Sequence, residues 1–175
     1  HLHAYLQTGY DWYRLVCQTT LDFLLREMQH SAGSFFASLD ADSPGGEGYY
    51  YTWTLNELQD ALRGPGEWEI FSATYDLPGN GNFNGRLVLQ RNKSVDRIVA
   101  NLGVSHAEYY SELAKVHNIL QHARGQKSRP ATDDKILTAW NGLAIIALAE
   151  AGRFLERKDY LTAAQNCASF ILENL

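Results

Sequence analysis

Residues 133 to 175 read DDKILTAWNGLAIIALAEAGRFLERKDYLTAAQNCASFILENL, and this stretch predicts two helices joined by a short turn. Apolar side chains recur every three or four residues on both sides of the polar segment 156–158, which is typical of helices that bury one face. We therefore predict helices over about 134–155 and 159–175, packed against each other as a helical hairpin.

The last of these helices resembles a segment near the start of the chain. Residues 12–28, WYRLVCQTTLDFLLREM, align without gaps with residues 159–175, and the two segments share a Tyr, a Gln, a Phe and a Leu. Each is the second member of a predicted helical hairpin, the first hairpin covering about 1–30 and the second about 134–175. Hairpin repeats bury their apolar faces by stacking on neighbours. Chance similarity between two amphipathic helices is the alternative explanation.

The segment between the two hairpins has a different pattern. Short aromatic or apolar runs at 34–40, 48–54 and 86–90 predict strands of a small antiparallel hairpin or sheet, within an insertion over about 34–92. Thr54 with Glu57, and Ser105 with Glu108, form capping boxes that predict helix starts, and further helices are expected over about 94–123. The sequence therefore predicts a mainly α fold class, with a small β insertion, in one domain covering 1–175.

Composition and charge exclude several classes of function. The chain has 175 residues, 45% of them apolar, and a formal net charge of −5 with no basic block. This argues against a nucleic-acid partner or a membrane partner. The longest apolar run, residues 143–149, is too short to cross a bilayer. Cys17 and Cys167 are expected to be reduced, buried thiols, so a cytoplasmic location fits best.

The stretch DADSPGGEGYYYTW, residues 40–53, holds three carboxylates close together, where they repel one another. Glycines and a proline predict turns, and the aromatic residues predict a strand. In a strand, Tyr49, Tyr51 and Trp53 would point to one face and Tyr50 to the other. The stretch is either an acidic surface loop or the wall of a polar pocket.

The predicted helix from Asp134 is apolar on almost every side, so we expect it inside the protein. Asp134, Thr138 and Asn141 recur on one side of it as a polar stripe. Buried polar groups need partners, so the stripe should face protein groups, water or a ligand. Asp133 and Asp134 could equally cap the helix. Asn141 and Gly142 are poor helix formers, which a close approach of another segment or of a ligand would explain.

Three of these blocks resemble one protein family. RPATDDKILTAWNGL (129–143), FFASLDADSPGGEGYYYTWT (35–54) and GNFNGRLVL (81–89) are similar, in the same order, to motifs of thioredoxin-domain-containing proteins that in animals are called spermatogenesis-associated proteins. Bacterial relatives share these motifs. The resemblance covers essentially the whole chain. The sequence departs from the family pattern at Asn84, where relatives often carry an acidic residue, and at Leu87, where they often carry Asn.

The resemblance implies an architecture. Members of the family join a thioredoxin-like domain to a six-hairpin (α/α) toroid similar to N-acylglucosamine 2-epimerases and several glycosidases. This chain would then be an internal fragment, a partial (α/α) toroid, and the thioredoxin-like domain would accompany it in the full-length protein. Faces left without their neighbouring hairpins would favour self-association of the fragment.

The resemblance implies a carbohydrate-processing function, with glycosidase-like or epimerase-like chemistry in the full-length parent; the fragment alone is expected to be inactive. Glycosidases need two carboxylates across a cleft and aromatic side chains that stack on sugar rings. Asp42 or Glu47 would be the general acid and Asp134 its catalytic partner. The predicted substrate-binding residues are Asp40, Tyr49, Tyr51, Trp53, Asp133, Lys135, Trp140 and Asn141. A non-catalytic scaffold that binds a glycan or protein through the same residues is the alternative, and aromatic runs in strands also occur as core.

No metal site and no cofactor are predicted. DADSPG resembles the start of a calcium loop, but Pro44 and Tyr51 stand at the fifth and twelfth positions, where ligands are required. His1 and His3 form a His-x-His pair that could bind metal or lie in a frayed terminus. The loop GNGNFNG lacks the Lys and Ser or Thr of a phosphate-binding loop.

Overall fold

The computed structural model describes residues 1–174, so the last residue of the predicted final helix, Leu175, lies outside the described part. The chain is 59% helical. The helices are α1 (Leu2–Thr8), α2 (Asp11–Phe23), α3 (Leu55–Ala61), α4 (Glu67–Thr74), α5 (Val95–Leu102), α6 (His106–Gly125), α7 (Thr138–Phe154) and α8 (Lys158–Asn174), and a π-helical turn, Leu24–Met28, extends α2. The strands are β1 (Ser38–Leu39), β2 (Asp42–Ser43), β3 (Gly46–Glu47) and β4 (Thr132–Asp133). The prediction of a mainly helical fold with a small antiparallel β part is confirmed.

The chain divides into two compact units. Unit 1 consists of His1–Asp40 and Thr132–Leu175, and unit 2 is the continuous segment Ala41–Ala131. β1 and β4 pair antiparallel, with Ser38 opposite Asp133 and Leu39 opposite Thr132. This ladder therefore joins, within unit 1, the two points at which the chain leaves for unit 2 and returns from it.

Unit 1 contains the two predicted helical hairpins, which we name hairpin A (α1 and α2) and hairpin B (α7 and α8). α1 ends at Gly9, whose φ of 68° supplies the left-handed cap that glycine adopts readily. α7 and α8 cross closely at Gly152, because a Cβ there would lie 2.7 Å from the Leu161 side chain. Leu21, Leu148, Tyr160 and Cys167 lie in the shared core of the two hairpins.

A polar contact at the α7–α8 turn ties hairpin B to hairpin A. The Tyr160 hydroxyl donates to Asp22 Oδ1 at 2.7 Å and to the Gln18 carbonyl at 3.1 Å. Arg157 Nη2 donates to the same Asp22 oxygen at 2.8 Å, and its guanidinium lies 4.0 Å from the Tyr160 ring centroid. Burial and the neighbouring Asp22 carboxylate raise the pKa of Tyr160, so the hydroxyl keeps its proton and stays a donor.

Unit 2 is built around α6, which packs against α3, α4 and α5. Both predicted capping boxes are present: Thr54 and Glu57 start α3, and Ser105 and Glu108 start α6. The buried face of α6 carries Tyr109, Leu113, Val116 and Leu120, at the three- and four-residue spacing typical of one helix face.

Two predictions about the β insertion were wrong. Residues 48–51 form a turn rather than a strand, and 86–90 contributes two isolated bridges, Arg86 with Phe83 and Leu87 with Trp53. The run at 34–40 does contain β1, but its partner is β4 rather than the aromatic segment. Pairing across the ends of the insertion cannot be recognised from local residue patterns, because β1 and β4 are separated by the whole of unit 2.

The predicted burial of α7 is wrong for one face. Trp140, Leu143 and Ile146 are 56%, 67% and 59% exposed. The opposite face packs in the core of unit 1 through Leu148 and Ala151. The helix also begins at Thr138, four residues later than predicted, so Asp134 lies outside it and the polar stripe does not form as predicted.

Across residues 1–174, none of the helices combines the length and the apolar character that crossing a bilayer requires.

Candidate functional site

The acidic stretch folds into a tight hairpin at the start of unit 2. β2 and β3 pair with Ser43 opposite Gly46, so Pro44 and Gly45 form a two-residue turn. Proline presets the backbone for the first turn position, and Gly45 takes a φ of 117° that side chains rarely allow. We refer to residues 42–47 as the acidic hairpin.

The register of the acidic hairpin brings two predicted catalytic residues together. Asp42 lies directly opposite Glu47, and both residues are exposed. Cβ atoms of residues opposite each other on antiparallel strands are about 4.5–5.5 Å apart. The two carboxylates therefore lie side by side on one face of the hairpin.

Aromatic rings of unit 2 fix this hairpin in place. The Tyr49 ring packs on the turn so closely that a Cβ at Gly45 would lie 2.8 Å from it. The Phe83 ring contacts Gly48, where a Cβ would lie 3.0 Å away. The Gly48 N–H donates to the Ala41 carbonyl at 2.8 Å. The turn of the hairpin therefore packs against Tyr49, and the residue just after the hairpin packs against Phe83.

Tyr49 is itself held by cations. The guanidinium carbon of Arg86 lies 4.8 Å from the Tyr49 ring centroid, and Lys127 Nζ lies 5.2 Å from it. Lys127 Nζ also lies 4.1 Å from the centroid of the buried Trp53 ring. Cation–π attraction of this kind is stronger where the cation is shielded from water, as the 9% exposed Lys127 side chain is.

Glu57 connects these cations to α3. One carboxylate oxygen, Oε2, accepts from the Thr54 N–H at 2.6 Å and from Arg86 Nη2 at 2.7 Å, and Oε1 lies 3.3 Å from Lys127 Nζ. The Thr52 carbonyl accepts from both Lys127 and Arg86, at 2.8 and 2.9 Å. We name Glu57, Arg86 and Lys127 the cation cluster.

The cation cluster shifts the pKa of its members. Burial raises the pKa of Glu57, but the Thr54 N–H, Lys127 and Arg86 together outweigh it and hold the pKa below its usual value. Burial lowers the pKa of Lys127, and the neighbouring Glu57 offsets this only in part. Glu57 therefore stays ionised and supplies the charge that Lys127 needs in this half-buried position.

The other aromatic residues of the stretch do not alternate between two faces as predicted. Tyr50 is 3% exposed and has the Arg124 guanidinium carbon 5.2 Å from its ring centroid, and Trp53 is 5% exposed. Tyr51 is 37% exposed. The alternation fails because Gly48–Tyr51 is a turn. Of the three predicted aromatic platforms here, Tyr51 offers the most accessible ring.

In unit 1, Asp133 pairs with Lys135. Lys135 Nζ lies 2.9 Å from Asp133 Oδ2, and the Lys135 N–H donates to Oδ1 at 3.3 Å. These bonds lower the pKa of Asp133 and raise that of Lys135. Asp133 lies in β4, so its predicted capping of the following helix is wrong. Asp40 follows β1 directly and is exposed.

Asp134 lies between β4 and α7, in a segment without regular structure. The capping residue of α7 is Leu137, which makes no side-chain cap bond, so the predicted capping by Asp134 is wrong. Asp134 and Trp140 are both exposed.

Asn141 is buried and its amide is used within unit 1. Its Oδ1 accepts from the Phe35 N–H at 2.7 Å, and its Nδ2 donates to the carbonyls of Phe35 and Leu137 at 3.0 and 3.1 Å. The Cys167 thiol also donates to Oδ1 at 3.2 Å. The close approach of another chain segment, one of the two explanations predicted for this residue, is what the structure shows. A Cβ at Gly142 would meet nothing within 4 Å.

The predicted site residues thus form two groups. Unit 2 holds Asp42, Glu47, Tyr49, Tyr51 and Trp53, and unit 1 holds Asp40, Asp133, Asp134, Lys135, Trp140 and Asn141. The catalytic pairing of Asp134 with Asp42 or Glu47 joins residues of different units and stays a prediction. A groove of about 300 Å³ in unit 1 is lined by none of the predicted residues, its walls including Leu2, Cys17, Leu21 and Glu150.

Sequence reasoning missed the cation cluster. The capping box identified Glu57 as a helix cap, but no local pattern links residues 57, 86 and 127. No cluster of three or more His, Cys, Asp or Glu side chains suited to a metal ion is found in the described range 1–174.

No family model matches the chain. It is 28% identical to human spermatogenesis-associated protein 20 over 98% of its length, and 26% identical to the mouse protein of that name over its whole length. An uncharacterized protein of Caenorhabditis elegans is 30% identical over 84% of the chain. The chain spans about a quarter of the length of these relatives. Over its whole length, then, the chain is similar to one part of the mammalian proteins named spermatogenesis-associated protein 20.

Proposed function

We propose that this chain is a carbohydrate-binding part of a larger helical protein, and that the acidic hairpin contacts the sugar. The observation that carries the proposal is the cross-strand pair of Asp42 and Glu47, two exposed carboxylates on one face of a hairpin whose turn packs against the Tyr49 ring.

Paired carboxylates suit a polyhydroxylated ligand. Charge-assisted hydrogen bonds from hydroxyl groups to ionised carboxylates are about twice as strong as neutral ones. Two such acceptors at fixed spacing can engage neighbouring hydroxyls of one ring. Tyr51 in the same unit is 37% exposed and has the Arg124 guanidinium carbon 5.4 Å from its ring centroid, so it offers an aromatic surface beside a cation for the apolar face of a sugar.

Glycoside hydrolysis is the second candidate, and the hairpin register favours it. Carboxylates about 5–5.5 Å apart are typical of retaining glycosidases, in which one acid protonates the leaving group and the other is the nucleophile. Asp42 and Glu47 lie directly opposite each other, where Cβ atoms are about 4.5–5.5 Å apart, so their carboxyl groups can reach such a spacing. In this mechanism Asp134, proposed as the catalytic partner from sequence, would be unnecessary.

The architecture of the full-length protein is part of the same proposal. Two stacked helical hairpins in unit 1 and the similarity to spermatogenesis-associated protein 20 support a partial (α/α) toroid. We extend this to a thioredoxin-like domain elsewhere in the full-length chain, for which the toroid could serve as a non-catalytic glycan- or protein-binding scaffold. The unpaired thiols of Cys17 and Cys167 suit a cytoplasmic location.

A glycan array followed by calorimetry tests the binding proposal. We expect the wild-type chain to bind at least one glycan, and Asp42→Asn and Glu47→Gln each to weaken that binding about tenfold or more, because each removes a charged acceptor. Asp60→Asn is the matched control, since Asp60 is an exposed acid of unit 2 that pairs with Arg63 away from the hairpin. An equal loss in all three variants would contradict a specific role for the hairpin.

Hydrolysis is tested separately with chromogenic glycosides of the sugar that binds. Binding of the sugar without hydrolysis would support the proposed binding function and would exclude glycoside hydrolysis. Turnover that survives in the Asp42→Asn, Glu47→Gln double variant would exclude this pair as the catalytic one.

A further inference from the structure

The chain contains three Asn-Gly pairs, at 80–81, 84–85 and 141–142. Such a pair is open to deamidation, the conversion of the asparagine amide to a carboxylate, because glycine places no side chain beside the backbone nitrogen that attacks the amide. The three pairs are identical dipeptides, so composition gives no reason to distinguish them. Their environments in the structure differ.

The pair at 141–142 is protected within α7. Asn141 is 1% exposed, and its Oδ1 and Nδ2 are both hydrogen-bonded to the backbone of Phe35. In a helix the backbone N–H of each residue donates to the carbonyl four residues earlier, so the Gly142 nitrogen is engaged as well. Neither the amide nor the attacking nitrogen of this pair is available.

The pair at 80–81 lies at the surface, but its nitrogen is occupied. Asn80 is exposed, whereas the Gly81 N–H donates to the Pro78 carbonyl at 2.9 Å. Gly81 is also closely packed, because a Cβ there would lie 2.7 Å from the Gly85 carbonyl carbon. The attacking nitrogen of this pair is therefore held in a hydrogen bond at a crowded position.

The pair at 84–85 has neither protection. Asn84 and Gly85 are exposed and form a two-residue turn, closed by hydrogen bonds in both directions between Phe83 and Arg86, at 3.0 and 2.8 Å. Their φ values of 46° and 75° are both positive, as a type I′ turn requires. Within residues 1–174, the Gly85 N–H and the Asn84 amide make no hydrogen bond to protein groups, and a Cβ at Gly85 would meet nothing within 4 Å.

We propose that Asn84 is a site of spontaneous deamidation. The Gly85 nitrogen gives its proton to solvent and forms a bond to Asn84 Cγ, and the amide nitrogen leaves as ammonia after taking a proton from solvent. Water then opens the resulting succinimide ring. Cleavage of the new bond to Cγ gives aspartate, and cleavage of the original peptide bond gives isoaspartate, in which the main chain runs through the side chain. The overall reaction consumes water and releases ammonia.

The isoaspartyl product should disturb unit 2. It lengthens the main chain of the turn by one carbon atom, and the paired hydrogen bonds between Phe83 and Arg86 fit a two-residue turn, so we expect this form to lose them. The same two residues carry other contacts, because the Phe83 ring packs on Gly48 and Arg86 donates to Thr52 and Glu57. Deamidation at this turn should therefore lower the stability of unit 2.

Peptide mapping of the wild-type chain during incubation at mildly alkaline pH tests the proposal. Tryptic peptide 64–86 contains Asn80 and Asn84, and peptide 136–153 contains Asn141, so fragment spectra assign the modified residue. We expect Asn84 to react several-fold faster than the other two, and the three rates to converge in guanidinium chloride. Equal rates for Asn80 and Asn84 in the folded chain would overturn the proposal. So would a folded chain in which Asn84 stays intact while the unfolded chain reacts.

Thermal unfolding of incubated samples tests the consequence for stability. Asn84→Gly removes the reactive amide and keeps a residue that accepts a positive φ, so its unfolding midpoint should not fall on incubation, whereas that of the wild type should. Asn80→Ala is the matched control and should lose stability as the wild type does. An unchanged midpoint in deamidated wild type, or an equal fall in Asn84→Gly, would contradict the predicted effect of this turn.

Discussion

Asn141 joins three parts of unit 1 through a single amide: the backbone of Phe35, the first turn of α7, and the Cys167 thiol on α8. Asn141→Ala leaves the buried N–H and carbonyl of Phe35 without that partner. Each buried group that loses its hydrogen bond costs about 1–3 kcal/mol. We expect a loss of about 2–4 kcal/mol in the free energy of unfolding, measured by urea denaturation.

At the neighbouring Gly142 we expect a substitution to raise the free energy of unfolding rather than lower it. A methyl group there meets no atom within 4 Å, and glycine is less favourable than alanine inside a helix by about 1 kcal/mol. Gly142→Ala should therefore raise the free energy of unfolding by about 0.5–1 kcal/mol in the same measurement. A loss of stability in this variant would show that the residue has a contact other than those of the fold described here.

His117 makes the stability of unit 2 depend on pH. Its Nε2 lies 2.7 Å from the Tyr75 hydroxyl, and burial, followed by the nearby Arg91, lowers its pKa. In the unfolded chain the residue titrates near 6.5, so below about pH 6.5 the unfolded state takes up a proton that the folded state refuses. The free energy of unfolding should have its full value above about pH 6.5. As the pH decreases below that value, it should fall by at most about 1.4 kcal/mol per pH unit until the pH reaches the pKa of His117 in the folded chain.

Urea denaturation at pH 7, 6 and 5 of the wild type and His117→Gln measures this effect. Glutamine can keep a hydrogen bond to Tyr75 without titrating, so the variant should lose much of the pH dependence. His122→Gln, a second histidine replacement on α6, is the control. Identical pH profiles for the wild type and His117→Gln would show that His117 is not the source of the pH dependence.

At the scale of elements, α3 shows that a residue recognised from a local capping pattern can also bind residues that are distant in the chain. Thr54 and Glu57 form a capping box that is visible in the sequence, but the same Glu57 carboxylate also binds Arg86 and the half-buried Lys127. Glu57→Gln should cost about 2–3 kcal/mol, since it removes a charged cap and leaves a shielded cation without its carboxylate. Chemical denaturation measures this loss of stability. Glu108→Gln, in the exposed capping box of α6, is the control and should cost less than Glu57→Gln.

The elements that the sequence predicted well are those specified by local patterns. Capping boxes located the starts of α3 and α6, and apolar periodicity located hairpins A and B. The predicted strand at 48–54 did not form: Tyr49, Tyr50 and Trp53 pack against Arg86, Arg124 and Lys127, and within this run only Trp53 makes a bridge, to Leu87. The late start of α7 follows from β4, which uses Asp133 for pairing with Ser38.

At the scale of the whole molecule, the chain consists of two units with separate cores, and unit 2 is inserted between two halves of unit 1. Leu39 lies opposite Thr132 in the β1–β4 ladder, so the ends of the insertion are close. Replacement of residues 40–131 by Asn-Gly should convert the ladder into a β-hairpin and leave unit 1 folded. Cooperative unfolding of this deletion variant, followed by circular dichroism, is the expected result.

Unit 2 expressed alone, residues 41–131, should also unfold cooperatively, because its core around Leu58, Phe71, Ile98 and Tyr109 is its own. A broad, non-cooperative transition in either protein would show that the units depend on each other for stability.

The sequence by itself determined the helical class, the two hairpins, both capping boxes and the position of the acidic turn, because each depends on residues close together in the chain. Only the tertiary structure decided which groups share an environment: Glu57 with Arg86 and Lys127, Asn141 with Phe35, Tyr160 with Asp22. These contacts join residues 29 to 138 positions apart. Hydrogen bonding and charge pairing depend on distance in space, and sequence spacing reports that distance only within a helix, a turn or a neighbouring strand.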